Sequence, residues 1–469
     1  MKRLLLVVVA VAALLASAGT AMGHAVLLSS SPAADARLAA PPERVTLTFS
    51  EPVEIVQGDD ISVVDAEGND VTAGPATNAA QANVVEIPLR PALGEGTYTI
   101  RYTVISTDSH VIPGVSVFGV GPGELGPPYL TGTTEGPSET GPWGVSSRFL
   151  EMVGLGGLIG LLAFRWLVWG PAVRGAPLAG SDRDAVLGWG RDVFWVIFGA
   201  LAVGAMLAEG YLLVVQSASV LGTSVLDAVG DATGISQVLG DTRFGSLVQL
   251  RGALLFGLFA IGAIGFIREY GNAGSPRPPS ATGSRVGAVL MAALLLAVLG
   301  GIAAQGHASV APLSGLQIGA QLVHVVAVAV WISGLALVAL AYLRLPRVAP
   351  EGGPALSTRV LARFSRVALI AVGIAVLTGV VRSLGELDDP AELWETAYGR
   401  SILLKIGLLI PIAALALYNR RVLEALRRVP RPNLPTMRLV RRVAASELAL
   451  ALAVVVIASL LVAQVPGGT

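Results

Sequence analysis

The chain contains no cysteine among its 469 residues. This absence excludes disulfide bonds, thiolate metal sites and CxxC redox chemistry, so that any metal ion must be held by histidine, carboxylate or methionine. Histidine is also scarce, with four in the whole chain, and none of the six methionines lies between residues 24 and 121. The formal net charge is zero and no basic patch stands out, so nothing indicates a nucleic-acid partner.

Charged residues make up only 14% of the chain, whereas hydrophobic residues make up 53%. A soluble globular protein does not have this composition. The apolar excess is uneven: residues 24–121 have a soluble character, and repeated apolar runs of roughly 20 residues, long enough to cross a bilayer, begin near residue 146. A lipid bilayer is therefore the expected environment of the second part.

The first 23 residues have the organisation of a secretory signal peptide. Two basic residues precede an apolar run from Leu4 to Leu15, and small residues lead up to Gly23. Cleavage after Gly23 would make His24 the mature N-terminus, where the α-amine and imidazole Nδ1 together favour Cu(II). The alternative is that cleavage falls a residue or two away and His24 is an ordinary surface side chain.

Residues 24–121 show short alternating segments separated by turn signals such as AEGND (66–70). Alternation of this length predicts strands. The segments are VTLTF (45–49), ISVVD (61–65), NVVEIPL (83–89), TYTIRYTVI (97–105) and VSVFGV (115–120). We expect an all-β, immunoglobulin-like Greek-key sandwich of about seven antiparallel strands.

A candidate metal site lies in STDSHVIPG (106–114), after the longest predicted strand. Asp108 and His110 are two residues apart and would project to the same side of an extended backbone. Alone, this pattern is more typical of a solvated turn. With His24 alongside, it supplies an amine, two imidazoles and a carboxylate, a donor set that suits Cu(II) better than Zn(II) or Ca(II).

Residues 122–145 are rich in Gly, Pro, Ser and Thr and predict a flexible linker. Within residues 146–466 we predict an α-helical polytopic bundle of about eight transmembrane helices, near 146–170, 192–216, 247–267, 285–305, 317–343, 364–384, 399–418 and 443–465. The loop 419–442 is rich in arginine and the loop 385–398 is acidic, so the positive-inside rule places the N-terminal domain outside the cell membrane.

A short internal repeat is also present. TRFGSLVQLR (242–251) aligns with TAYGRSILLK (396–405) in the threonine, the aromatic residue, the glycine and the final cation. Two four-helix halves of parallel topology are a common construction in transporters.

Polar residues inside a membrane are costly and are therefore candidate functional positions. Near the outer side, Glu151, His307 and His324 form a candidate copper path. Snorkelling to the interface or structural pairing is the simpler interpretation of three other charged residues, Glu209, Arg251 and Lys405.

The soluble part resembles a known family. His24-Ala25, SSSPA (29–33), LTFSEPVE (47–54) and VISTDSHVIPG (104–114) are similar to the periplasmic copper-binding protein CopC across nearly all of residues 24–121. The resemblance implies a Cu(II) site formed by His24, Asp108 and His110. Some members also hold Cu(I) in a methionine-rich loop, which this domain lacks, so we expect a Cu(II) site only.

The membrane part resembles the copper-resistance protein CopD over roughly residues 146–466. The similar stretches are QLVHVVAVAVWISG (321–334), ARFSRVALIAVGIAVLTG (362–379) and TAYGRSILLK (396–405). Family members often carry an acidic residue one turn before the membrane histidine, but this chain has Gln321, which argues against a carboxylate-assisted relay. A fused CopC–CopD chain implies a role in copper uptake and homeostasis.

We therefore expect a copper-transporting membrane protein, not an enzyme, that captures Cu(II) outside and passes it inward. An extracytoplasmic copper donor or a reductase is an additional expected partner. One alternative is a redox protein that holds haem through His307 and His324, or copper as in oxidative enzymes, although Asp108 would then fill the position that oxygen needs. The other is a copper sensor that transports nothing.

Overall fold

The computed structural model describes residues 25–56, 61–107, 109–130, 136–138, 140–271, 281–303, 305, 314–387, 389, 391–426 and 434–462. Three of the predicted site residues, His24, Asp108 and His307, lie outside this part, as does the predicted signal peptide. By its contacts the chain divides into two units. The first comprises Met1–Gly144, Gly210–Leu250 and Gly301–Ser314, and the second comprises Val145–Glu209, Arg251–Gly300 and Gly315–Thr469.

The described N-terminal residues form two β-sheets. The strands are β1 (Leu27–Ser31), β2 (Arg37–Leu38), β3 (Arg44–Phe49), β4 (Val53–Glu54), β5 (Ser62–Val64), β6 (Thr77–Asn78), β7 (Val84–Pro88), β8 (Gly96–Ser106) and β9 (Val111–Val120). One sheet has the order β1-β3-β7-β6, and the other has β2-β9-β8-β4 with β5 also on β8. All five predicted segments overlap a strand, and the two-sheet architecture is confirmed; the Greek-key connection stays a prediction.

The core of this domain follows from the alternation that predicted the strands. In β3, Val45, Leu47 and Phe49 are fully buried while the residues between them are not. The register places Val45 opposite Ile87 and Leu47 opposite Val85, both also fully buried. Each such side chain contributes roughly 1.5–3 kcal/mol relative to an exposed position. Among the strand pairs, β2 with β9 is parallel, which the prediction of a purely antiparallel sandwich missed.

After the linker the described residues are helical. The helices are α1 (Pro142–Ala163), a π-helix (Phe164–Trp169), α2 (Gly170–Arg174), α3 (Gly180–Val220), α4 (Val225–Gly230), α5 (Ala232–Asp241), α6 (Arg243–Tyr270), α7 (Ala281–Ala303), α8 (Ser314–Val348), α9 (Gly353–Glu386), α10 (Glu392–Glu395), α11 (Ala397–Leu426) and α12 (Leu434–Val462). Six segments in the described part are long and apolar enough to cross a membrane: 142–174, 180–220, 243–270, 285–303, 314–348 and 353–385.

The protein is thus built to insert into a membrane several times. The six segments coincide with the first six predicted spans. Helices α11 and α12 occupy the positions of the seventh and eighth, and that these two also cross the bilayer stays a prediction.

The helices α1 and α8 pack closely through small residues. Ser333 Oγ donates to the Gly156 carbonyl at 3.1 Å, and a Cβ added to Gly160 would collide with Ser333. A Cβ on Gly156 would meet Ala329. The pairs Gly156–Ala329 and Gly160–Ser333 have the same sequence separation, so the two helices run parallel in register.

The predicted internal repeat is a repeated local structure. Thr242 and Thr396 each precede a long helix, and each hydroxyl donates to a carbonyl four residues earlier, at 2.6 and 2.8 Å. The same hydroxyls accept the backbone N–H of Gly245 and Gly399, both at 2.9 Å. A Cβ on either glycine would collide with the backbone of the preceding short helix. The sequence match therefore reflects a common helix start in both halves.

Candidate functional site

The predicted ligand His110 lies in the turn between β8 and β9. The Ser106 N–H donates to the His110 carbonyl at 2.9 Å, and the Ser109 N–H donates to the Ser106 carbonyl at 2.8 Å. The His110 N–H donates to Ser106 Oγ at 3.2 Å. Ser109 has φ +70°, so the expectation of an extended backbone through this stretch is wrong. The chain must reverse here because β8 and β9 pair with each other.

This turn is buried, although the tip of a hairpin usually faces solvent. Ser109 is 9% exposed and His110 is 7% exposed. The residues that cover it belong to the same compact unit, in the stretch Gly210–Leu250. We call this stretch the platform segment; it contains the end of α3, all of α4 and α5, and the start of α6.

Two side chains of the platform segment hold the turn. Gln216 Nε2 donates to the Ser109 carbonyl at 2.9 Å, a buried hydrogen bond. Arg243 Nη1 donates to the Thr107 carbonyl at 3.1 Å, and the Arg243 backbone N–H donates to Glu54 Oε2 at 2.9 Å. Burial raises the pKa of the Glu54 carboxyl, and the Arg243 N–H and guanidinium partly offset this rise.

An apolar cluster surrounds these polar contacts. Its buried members come from the β domain and from the platform segment: Val56, Ile105, Leu212, Val220, Val238, Phe244 and Val248. Val111, next to His110, packs against the cluster. Sequence reasoning missed this contact, because the platform residues lie more than 100 positions from the turn. The one available signal was the apolar character of Val111 and Ile112 directly after a histidine.

A second polar group lies in the helical unit. Arg251 Nε and Nη2 donate to Glu209 Oε2 at 3.1 and 2.9 Å, and Arg251 Nη1 lies 4.0 Å from Glu151 Oε1. The side chains of Arg251, Glu151 and Glu209 are 1%, 9% and 5% exposed. Of the two interpretations, structural pairing is therefore right and snorkelling is wrong for Arg251 and Glu209.

His324 is buried in α8 with its ring held by α9. Its Nδ1 lies 2.9 Å from the Ala375 carbonyl and 3.1 Å from Thr378 Oγ1. Because a carbonyl only accepts, this contact favours the proton on Nδ1 and leaves the Nε2 lone pair available. That tautomer is the one that metal-binding histidines commonly use.

Glu151 and His324 occupy equivalent positions. Their sequence separation equals that of the contacting pairs Gly156–Ala329 and Gly160–Ser333, so they lie at the same level of the parallel helices α1 and α8. That both belong to one outer polar layer together with His307 stays a prediction, since His307 lies outside the described residues. The described residues contain no group of three or more His, Asp or Glu side chains that could hold a metal ion, and the predicted set of His24, Asp108 and His110 falls only partly within them.

Fold and site together define a β domain joined to a polytopic helical membrane region. Three family models match the chain: the CopC domain over residues 27–121, the copper resistance protein D-like N-terminal domain over 140–315, and copper resistance protein D over 358–461. The chain belongs to the family of proteins in which a CopC domain is fused to copper resistance protein D domains.

Individual proteins and one solved structure are similar to parts of this chain. The copper transport protein CutJ of Bacillus subtilis (strain 168) is 25% identical over 398 residues, which are 83% of this chain and 66% of that protein, slightly under two thirds of its length. Copper resistance protein C of Escherichia coli is 35% identical over 108 residues, which are 22% of this chain and 84% of that protein. The structure of CopC from Methylosinus trichosporium OB3b is 31% identical and covers 22% of this chain and 100% of that one, with a TM-score of 0.19.

Proposed function

We propose that this chain is a copper transporter whose β domain binds Cu(II) outside the cell membrane and passes it to the helical region for uptake. The observation that carries the proposal is the placement of the His110 turn against the platform segment. That segment lies within the residues matched by the copper resistance protein D-like model. The predicted copper-binding turn therefore contacts the family region that is expected to accept the metal.

The ligand set proposed for the β domain is His24, Asp108 and His110. Cu(II) favours nitrogen-rich tetragonal coordination, which the N-terminal amine, two imidazoles and one carboxylate supply. A soft Cu(I) site would need thiolate or thioether ligands, and residues 24–121 contain neither cysteine nor methionine. The oxidation state proposed for the captured ion is therefore Cu(II).

The path proposed in the membrane uses His324, His307 and Glu151. His324 offers an available Nε2, and the ring is oriented by its contact with the Ala375 carbonyl. Glu151 shares its level and contributes negative charge, which favours entry of a cation. Arg251 Nη1 lies 4.0 Å from Glu151 Oε1 and offsets part of that charge. The excess of arginine in 419–442 supports the outside placement of the β domain.

The first test is Cu(II) electron paramagnetic resonance and affinity on the full chain in detergent. One form begins at His24 and a second form carries one extra residue before it. We expect nitrogen-rich Cu(II) binding in the first form and a loss of affinity of at least about tenfold in the second, because the extra residue removes the free amine from the chelate.

His110→Ala serves as the companion variant in that test, since it removes one imidazole without changing the N-terminus. Its spectrum should show fewer nitrogen ligands. Equal spectra and affinities in all three forms would exclude the proposed ligand set.

A further inference from the structure

The β8–β9 turn makes two kinds of contact with the platform segment, and both bear on access to His110. We propose that the platform segment is a docking surface for this turn, that Gln216 and Arg243 are positioning residues for it, and that copper exchanges at His110 with solvent only when the turn undocks. The inference rests on the proposed role of His110 as a copper ligand.

The polar contacts are hydrogen bonds to the backbone of the turn. Gln216 and Arg243 donate to the carbonyls of Ser109 and Thr107, which flank Asp108 on both sides. Hydrogen bonds to carbonyls constrain peptide orientation whatever the side chains are. They therefore hold the backbone of the turn in one conformation, including the positive φ of Ser109, which a residue other than glycine adopts at some cost. Removal of either donor should loosen the turn without removing any proposed ligand.

The apolar contacts supply the driving force for docking. Ile105 and Val111 are the residues at which β8 ends its pairing with β9, and both pack with platform residues. On the platform side, Phe244 and Val248 lie one turn apart at the start of α6. A patch of this kind on an isolated hairpin would be exposed to water, so its burial favours the docked state.

Docking also controls access to the histidine. His110 is 7% exposed with the turn in place, and a chelator must reach the copper ion to remove it. Release to a chelator should therefore be slow in the intact chain and faster in any variant that weakens docking.

The kinetic experiment uses the full chain in nanodiscs, loaded with Cu(II) and mixed with excess EDTA. Gln216→Ala and Arg243→Ala should each release copper about tenfold faster than the unchanged chain, the factor that corresponds to one strong hydrogen bond. Gln249→Ala is the matched control. Its amide donates to the Leu239 carbonyl within the platform segment, so this variant should release copper at the unchanged rate.

A second measurement reports docking without copper. The chain has no cysteine, so Glu54→Cys with Arg243→Cys creates a single pair at the observed contact, and this pair should form a disulfide in metal-free membranes. The control pair is Glu67→Cys with Arg243→Cys. Residue 67 follows β5, and β5 pairs with residues of β8 that lie away from the β8–β9 turn. That pair should stay reduced.

The two measurements separate the outcomes. Disulfide formation no faster in the 54–243 pair than in the 67–243 pair, which lacks Arg243 equally, or equal release rates in all variants, would overturn the docking proposal. A disulfide in an intact chain that binds no Cu(II) would leave the docking surface standing and would instead refute the proposed copper function.

Discussion

Arg251 shows how a charged residue is retained inside a membrane region. Its guanidinium is almost fully buried and contacts Glu209 directly, with Glu151 at the limit of ion-pair distance. Taking charges out of water is expensive, and mutual attraction offsets that cost only while every partner is present. The cluster is therefore more sensitive to loss of one member than to replacement of the whole group.

We expect Arg251→Met to lower the free energy of unfolding in mixed micelles by about 3–5 kcal/mol, because two buried carboxylates then lose their cation. The triple variant Glu151→Gln, Glu209→Gln, Arg251→Met should regain most of this loss, since no unpaired charge remains. An equal loss in the single and triple variants would show that packing of the arginine stem, and not charge, sets the stability.

At the scale of single elements, the starts of α6 and α11 carry the repeat that the sequence suggested. In both, a threonine precedes the helix and accepts the N–H of a glycine three residues later. The glycine is needed because the preceding short helix crosses so closely that a side chain has no room. The amino-acid sequence showed the motif, but only the tertiary structure showed that the glycine is required by the close contact with the preceding short helix.

Alanine at these glycines should therefore be harmful, although alanine is normally the better helix former. We expect Gly245→Ala and Gly399→Ala each to destabilise the protein by about 1–3 kcal/mol, because the new methyl group forces the short helix away. Gly252→Ala and Gly407→Ala lie in the same two helices with open space around them. They should be neutral or stabilising by about 0.5–1 kcal/mol, and thermal unfolding in detergent would distinguish the two classes.

At the scale of the whole molecule, charged residues and His324 recur at equal spacing in two parts of the helical region. Glu209 and Arg382 have the same sequence separation as Glu151 and His324. Arg251 corresponds to Lys405 through the repeated motif. The part that holds His324 therefore also carries the cations Arg382 and Lys405, and the part that holds Glu151 and Glu209 carries Arg251.

The transport step can be measured on the reconstituted chain. Vesicles that contain the full chain and an internal copper-sensitive dye should accumulate copper, and His324→Ala should slow this by about tenfold or more, since the path loses its imidazole. Ser357→Ala removes a buried hydroxyl that bonds only within its own helix in the described structure, and should transport normally. Tight copper binding without any accumulation would identify a sensor in place of a transporter.

The sequence by itself determined the division into a β domain and a membrane region, because alternating short segments and long apolar runs are local patterns that need no distant partner. It also determined the candidate copper ligands, because four histidines in a cysteine-free chain leave few combinations. It did not show that β2 pairs in parallel with β9 or that residues 106–110 reverse direction, because both depend on strand pairing.

Only the tertiary structure decided which polar residues meet. Gln216 and Arg243 reach the His110 turn across a large sequence separation, and Arg251 pairs with glutamates on two other helices. A local pattern cannot carry this information, because helix packing joins residues according to register and shape rather than spacing along the chain. The sequence pattern therefore identified these polar residues individually, whereas the partner of each residue depends on the tertiary fold.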